Sequence, residues 1–135
     1  MTERRPDQRM NTWQAVIGKW KQEVIPEEHN TPQQEFNRSL EEIEELRTEL
    51  DQHDGTPQAS LRVGLEAVDV MIRMMGIIDA LGMDTERLMD YKVDMIHRKY
   101  NPHQNRALRE SGMAWDQTMA YQKQAFEENG HDHEL

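Results

Sequence analysis

The amino-acid sequence predicts an all-α protein, a helical bundle of about four to six helices. Helix-forming residues such as Met, Glu, Gln, Leu and Arg are abundant among its 135 residues, and β-branched residues form no run. Proline and glycine stand mostly between periodic segments, where they act as boundaries. One segment, 61–81, is long enough for a complete helix and apolar on almost every face. A small monomer cannot cover such a helix, so we expect oligomerisation to complete the bundle.

Two amphipathic helices are predicted ahead of this segment, from apolar residues that recur every three or four positions. The first covers 11–24, with Asn11 or Thr12 as its N-cap, and the second covers 33–50. The segment 25–32 is bracketed by prolines and predicts a loop. The apolar stripes expected in the core are Trp13, Val16, Ile17, Trp20 and Val24, then Phe36, Leu40, Ile43, Leu46 and Leu50. Core packing is the expected role of both tryptophans, and stacking on a nucleotide base is the alternative.

Turn residues delimit the remaining helices. The segment 53–57, HDGTP, predicts a turn before the apolar segment, and Gly82 predicts the end of that segment. Asp84 or Thr85 is expected to cap the next helix, which Pro102 prevents from continuing. The predicted helices after this turn cover 61–81, 85–100, 106–110 and 113–126.

Composition excludes several classes of function. A net charge of −10 argues against a duplex nucleic-acid binder, because such a protein needs a basic face. The segment 61–81 is interrupted by Glu66, Asp69, Arg73 and Asp79, so we expect no membrane span. The first residues lack a signal-peptide pattern, and we expect a cytoplasmic protein. The absence of cysteine excludes thiolate metal sites and thiol catalysis.

Three charged residues form a narrow polar stripe on the apolar segment. At ~100° per residue, Glu66, Asp69 and Arg73 fall within about one sixth of the helix circumference. Burying a lone carboxylate costs several kcal/mol unless a cation or hydrogen-bond donors meet it. In a purely structural interpretation, Arg73 neutralises Asp69 one turn before it, which leaves Glu66 without a partner. Two carboxylates at this spacing therefore favour a bound cation.

Glu42 and Glu45 form a second pair of carboxylates, on the shoulder of the preceding apolar stripe. Alone, the segment 41–50, EEIEELRTEL, also fits a solvated acidic helix face. Antiparallel packing of the two helices would bring all four carboxylates to one point. Carboxylates without His or Cys favour a hard cation, and Mg²⁺ fits best, with Mn²⁺ as a substitute. The chemistry indicated is metal-assisted attack of water on a phosphate chain.

The acidic pairs stand in motifs that resemble those of the MazG-like all-α nucleoside triphosphate pyrophosphohydrolases. This superfamily includes dimeric dUTPases, dCTP pyrophosphatases and phosphoribosyl-ATP pyrophosphohydrolases. Its signature, EExxE followed by ExxD on the next long helix, reads here EEIEE at 41–45 and EAVD at 66–69. Gly-Met-Asp at 82–84 and the basic residues from Lys92 onward are also similar to the family. The resemblance covers 13–100.

The resemblance implies a Mg²⁺-dependent enzyme that hydrolyses a ribo- or deoxyribonucleoside triphosphate to the monophosphate and pyrophosphate. It also implies a homodimer or homotetramer. The implied metal ligands, which are also the catalytic residues, are Glu42, Glu45, Glu66 and Asp69, with Glu41 as a neighbour. The implied phosphate contacts are Lys92, Arg98 and Lys99. The chain departs from the family at Ile96, where Asn is usual, and His97 stands beside it.

Two other functions remain open at the level of the sequence. One is an enzyme of the same fold that acts on phosphoribosyl-ATP or an alarmone. The other is a non-catalytic helical interaction protein that binds a metal, for which Ile96 would be a sign of lost activity. The expected organisation is a disordered lead-in at 1–10, a catalytic domain at 11–100, a helical extension at 101–128 and a flexible tail at 129–135.

Overall fold

The computed structural model describes residues 10–129, and in that range its secondary structure consists of helices joined by turns, with no strand. A short 3-10 helix, Glu27–His29, lies in the predicted loop. The all-α prediction is therefore confirmed. The expected lead-in and tail lie outside the described residues, apart from Met10 and Asn129. The six α-helices are α1 (Met10–Val24), α2 (Pro32–Asp51), α3 (Pro57–Ala80), α4 (Thr85–Lys99), α5 (Pro102–Glu110) and α6 (Trp115–Glu128).

The chain divides into two compact units, one ending at Glu86 and the other beginning at Arg87. The first contains α1, α2, α3 and the start of α4. The second contains the rest of α4 with α5 and α6. The catalytic segment 11–100 and the extension 101–128 stay predictions, because the division reflects compactness and not function.

Threonine caps followed by proline define where α2 and α3 begin. The side chain of Thr31 accepts a hydrogen bond from the backbone of Gln34, and that of Thr56 accepts one from Ala59. Proline at the next position has the backbone geometry of a helix start and no N–H to satisfy. For this reason α3 begins four residues before the predicted position 61. Gly82, with φ of +70°, ends it as expected.

Asn11 caps a different helix from the one predicted. Helix α1 already includes Met10, and the Asn11 side chain accepts a hydrogen bond of 3.0 Å from the backbone N–H of Glu86 in the first turn of α4. The Glu86 carboxylate in turn accepts one of 3.3 Å from the backbone of Asn11. Gln14 strengthens this junction, since its side chain donates to the carbonyl of Met83 and accepts from Thr85.

Helices α2 and α3 pack antiparallel. Arg62, near the start of α3, pairs with Glu49, near the end of α2, at 3.2 Å. Arg73, later on α3, pairs with Glu42, earlier on α2, at 3.4 Å. The pairing order runs in opposite directions along the two helices, as the two acidic motifs require.

The predicted core faces of α1 and α2 are wrong for the single chain. The face of α1 that is buried carries Gln14, Gly18 and Lys21, and that of α2 carries Glu35 and Ser39. The predicted stripes lie beside these faces and are largely exposed, so that Trp20 keeps 49% of its surface. The exposed large apolar residues of the first three helices are Trp13, Val16, Trp20, Val24, Phe36, Leu40, Ile43, Leu50, Leu61, Leu65, Val68 and Met71.

A buried ion pair explains why polar residues turn inward. The ammonium group of Lys21 lies 2.9 Å from the Glu35 carboxylate and 3.3 Å from the carbonyl oxygen of Gly76. Both side chains are almost completely inaccessible, at 3% and 1% exposure. A buried pair of this kind requires every charge to be met, and here α1, α2 and α3 each supply one partner.

Gly76 leaves the space that this ion pair occupies. A Cβ atom at position 76 would lie 2.9 Å from the Lys21 nitrogen and 3.0 Å from the Glu35 carboxylate. We expect Gly76→Ala to lower the free energy of unfolding by about 1–3 kcal/mol, the usual cost of overpacking. Gly64→Ala, on the same helix with open space around it, is the control and should raise stability by about 0.5–1 kcal/mol. Urea unfolding curves of both variants measure this, and equal effects would contradict it.

The second unit also buries polar groups. The Gln122 side chain donates to the carbonyl of Asn101 at 3.1 Å and accepts from Asn105 at 2.8 Å. Among the described residues of this unit, Met95 and Phe126 are the buried apolar side chains. Within residues 10–129, none of the helices has the length and apolar character that crossing a bilayer requires.

Candidate metal centre

Four carboxylates meet where α2 packs against α3. Glu42 and Glu45 lie one turn apart on α2, and Glu66 and Asp69 lie one turn apart on α3. One carboxylate oxygen of each lies within 4.8 Å of those of the other three. Glu45 is exposed and the other three are half-buried. The structure thus brings together the four residues named from the sequence, and their role as metal ligands stays a prediction.

The electrostatics of the cluster favour a cation. Burial raises the pKa of Glu42, and the negative charges of Glu45 and Asp69 raise it further, while Arg73 acts in the opposite direction. One carboxylate oxygen of Glu66 is buried and has no hydrogen-bond partner in the described chain. An unsatisfied buried oxygen among repelling carboxylates is the arrangement that a bound cation would relieve. Because all the potential ligand atoms are carboxylate oxygens, the four residues suit a hard divalent ion.

Among the described residues, Arg73 is the cation that forms an ion pair with this cluster, and its partner differs from the one expected. Its guanidinium lies 3.4 Å from Glu42 and 3.9 Å from Glu35. Among the described residues it forms no ion pair with Asp69. The purely structural interpretation, in which Arg73 neutralises Asp69, is therefore wrong in its partner. Asp69 remains available to a ligand.

A cleft of about 410 Å³ opens beside the cluster. Its polar lining is Glu42, Asp69 and Arg73, and its apolar lining is Val16, Ile17, Trp20 and Ile72. Of the two tryptophans on α1, Trp20 thus lies next to the carboxylates. Trp13 lines a neighbouring apolar groove of about 460 Å³. A flat aromatic ring and two carboxylates at one cleft suit a ligand with an aromatic part and a metal-bound part.

The ion pair of Lys21 with Glu35 was missed from the sequence, although it adjoins the site. Glu35 also accepts from Arg38 at 2.9 Å and faces Arg73. Burial alone raises its pKa, but the hydrogen bonds and charges of Lys21 and Arg38 outweigh burial, so the pKa of Glu35 is lowered. A signal existed in Gly18 and Ser39, small residues that stand one helical turn from the paired charges and allow close helix approach.

The predicted phosphate contacts lie on the part of α4 that belongs to the second unit. Lys92 and Arg98 are exposed, and Arg98 pairs with Asp94 one turn earlier at 3.1 Å. The ammonium of Lys99 lies 5.5 Å from the ring centroid of Tyr100, within the range of a cation–π contact. The role of these three cations as phosphate contacts stays a prediction.

No family model, curated protein or solved structure matches this chain. The resemblance to MazG-like enzymes therefore rests on its motifs. The first motif, 41–45, lies on α2 and the second, 66–69, on α3, the next long helix.

Proposed function

We propose that the chain is a Mg²⁺-dependent nucleoside triphosphate pyrophosphohydrolase. The observation that carries this proposal is the meeting of four carboxylates from two antiparallel helices within 4.8 Å. Oxygen donors in this number suit Mg²⁺, which retains positions for water and phosphate oxygens. The resemblance of the motifs supplies the bond that is cleaved, between the α- and β-phosphates.

We assign separate roles to the four carboxylates and to the three cations of α4. Glu42, Glu45, Glu66 and Asp69 would hold the cation, which when bound supplies Lewis-acid activation of a phosphate and a water molecule. Glu45 is the most exposed of the four, so water reaches it most directly, and we assign to it the proton of the attacking water. Lys92, Arg98 and Lys99 remain the proposed phosphate contacts. The four acids alone would repel a polyanionic substrate.

The apolar part of the cleft supports a nucleotide over a simple phosphate ester. The Trp20 ring is half-exposed there, beside Ile17 and Ile72. Stacking of a base on an aromatic ring contributes about 1–3 kcal/mol and tolerates different bases. We therefore place the base against Trp20 and the phosphate chain against the carboxylates.

We propose a homodimer or homotetramer, in which a second copy covers exposed apolar residues of α1, α2 and α3 outside the cleft that Trp20 lines. We expect light scattering at micromolar concentration to give at least twice the chain mass of 16.0 kDa. Leu40→Glu should shift the mass toward the monomer, because it would bury a charge in the interface. Glu44→Gln, at an exposed position on the same helix, should leave the mass unchanged. A 16.0 kDa species for the unaltered chain would contradict the proposal.

The function is tested by pyrophosphate release from each common nucleoside triphosphate, with phosphoribosyl-ATP and an alarmone in the same panel. We expect release with Mg²⁺, retained at least in part with Mn²⁺ and lost in EDTA. Four carboxylates without a cation would repel the phosphate chain, which gives the reason for the loss. Full activity in EDTA would refute the metal assignment.

A second function, metal binding without catalysis, is favoured by one observation. Ile96 stands where the resembled family usually has Asn, and it is exposed, so this position offers no polar contact to a nucleotide. Mg²⁺ binding in calorimetry, together with no turnover of any nucleotide in the panel, would establish this alternative.

A further inference from the structure

Arg73 lies between a carboxylate that has more than one cation beside it and a cluster of carboxylates that has too few cations. On one side lies Glu35, a single carboxylate already bonded at 2.9 Å by Lys21 and at 2.9 Å by Arg38. On the other side lies the cluster of four carboxylates, of which Glu42 is 3.4 Å away. Glu35 therefore has cations in excess, whereas the cluster has too few. The guanidinium of Arg73 therefore serves mainly as a counter-ion of the cluster, because Glu35 is already neutralised by its other two cations.

The contacts of Arg73 are loose compared with those of its neighbours. Its distance to Glu35 is 3.9 Å, a full ångström longer than those of the other two cations. Its hydrogen bond to Glu42 is 3.4 Å long, well beyond the usual length of a charge-assisted bond. The side chain also keeps 23% of its surface exposed and lines the Trp20 cleft. Arg73 therefore has guanidinium N–H groups at the surface of the cleft that can donate to a ligand.

We propose that Arg73 is the resident counter-ion of the cluster and becomes the anion receptor of the cleft once a divalent cation takes over Glu42. The inference rests on the proposed function, because it assumes a cation at the four carboxylates. A divalent ion bound by Glu42 repels the guanidinium, and the single negative charge of Glu35 is already balanced by Lys21 and Arg38, both of which contact its Oε1. The N–H groups of the Arg73 guanidinium are then free to donate to another acceptor, and the oxygens of a phosphate group match their planar arrangement. Cation binding would thus precede and strengthen the binding of a phosphate chain.

The test is isothermal titration calorimetry of the full chain at fixed ionic strength, with Mn²⁺ alone and then with inorganic triphosphate in the presence and absence of Mn²⁺. In Arg73→Gln we expect Mn²⁺ alone to bind as tightly as in the unaltered chain or more tightly, because a competitor is gone. We expect triphosphate binding with Mn²⁺ to weaken about tenfold or more, as loss of a charge-assisted pair does.

Two further variants keep the test decisive. Arg73→Lys retains the charge without the planar fork, so it should remain folded and show an intermediate loss of triphosphate affinity. Arg62→Gln removes a comparable ion pair on the same helix, with Glu49, and should change neither affinity by more than about twofold.

Several results would overturn the inference. These are weaker Mn²⁺ binding in Arg73→Gln, unchanged triphosphate affinity, or an unaltered chain that binds no divalent cation. Turnover is not read in this experiment. If the binding results hold and no nucleotide is cleaved, the proposed function fails and the inference stands. If nucleotides are cleaved and Arg73→Gln binds triphosphate normally, the inference alone fails.

Discussion

Glu66→Gln and Asp69→Asn should each reduce pyrophosphate release by at least about 100-fold without weakening the metal-free fold. Each substitution keeps the shape of the side chain and removes one anionic ligand, which a hard cation requires. Each also removes repulsion among carboxylates that lie within 4.8 Å of one another, so the metal-free melting temperature should stay the same or rise. Glu66 already has an unsatisfied buried oxygen, and its neutral form loses nothing in the described contacts.

Thermal melts without metal, set beside pyrophosphate release with Mg²⁺, measure both quantities. Glu44→Gln is the matched control, since Glu44 is exposed on α2 and pairs only loosely with Arg47, at 3.4 Å. It should leave activity and stability nearly unchanged. A strongly destabilised Asp69→Asn together with a fully active Glu66→Gln would refute the catalytic role of the cluster.

Glu35→Gln should be the most destabilising conservative substitution in the first unit, at about 3–5 kcal/mol of unfolding free energy. Glu35 is 1% exposed, and its neutralisation leaves the buried Lys21 without a counter-ion and weakens the hold on Arg38 and Arg73. Lys21→Met should cost less, because Glu35 would keep its two arginine partners. Urea unfolding at pH 7 gives both values.

Glu49→Gln serves as the control for Glu35→Gln, because Glu49 also pairs with a cation of the neighbouring helix but is more accessible. Its cost should stay below about 1 kcal/mol. If Lys21→Met proved more harmful than Glu35→Gln, the account of Glu35 as the shared anchor of three cations would be wrong.

Glu35→Gln should also change how the stability of the fold depends on pH in acid. The pKa of Glu35 is lowered from its ordinary value of 4.5, so its stabilisation is complete above that value and is lost as the pH falls through the lower, folded-state pKa. Glu35→Gln should flatten this loss. Glu42 acts in the opposite sense, because its pKa is raised and protonation relieves repulsion as the pH falls.

The helices and the acidic pairs could be predicted because both are local features. Residues three or four apart share a helix face whatever the rest of the chain does, so Glu42 with Glu45 and Glu66 with Asp69 could be paired from spacing alone. The start of α3 was predicted too late because the apolar pattern begins at Leu61, whereas the helix begins with the cap and proline that precede it.

The buried faces of α1 and α2 could not be predicted from periodicity. A stripe such as Trp13, Trp20 and Val24 identifies an apolar face but not the partner that covers it. The face that packs inside the chain was decided by a contact between Lys21 and Glu35 and by the room at Gly76. Such contacts join distant parts of the sequence, and neither residue is unusual by itself.

The close approach at Gly76 ties three positions of the chain together. The carbonyl of Gly76 and the carboxylate of Glu35 both receive the Lys21 ammonium, in the space that a side chain at 76 would fill. In any homologue that keeps this packing, a larger residue at 76 is compatible only with shorter side chains at 21 and 35, because its Cβ would lie 2.9 Å from the Lys21 nitrogen and 3.0 Å from the Glu35 carboxylate. Positions 21, 35 and 76 should therefore covary as a triplet during evolution, and independently of the four carboxylates that are proposed to bind a metal.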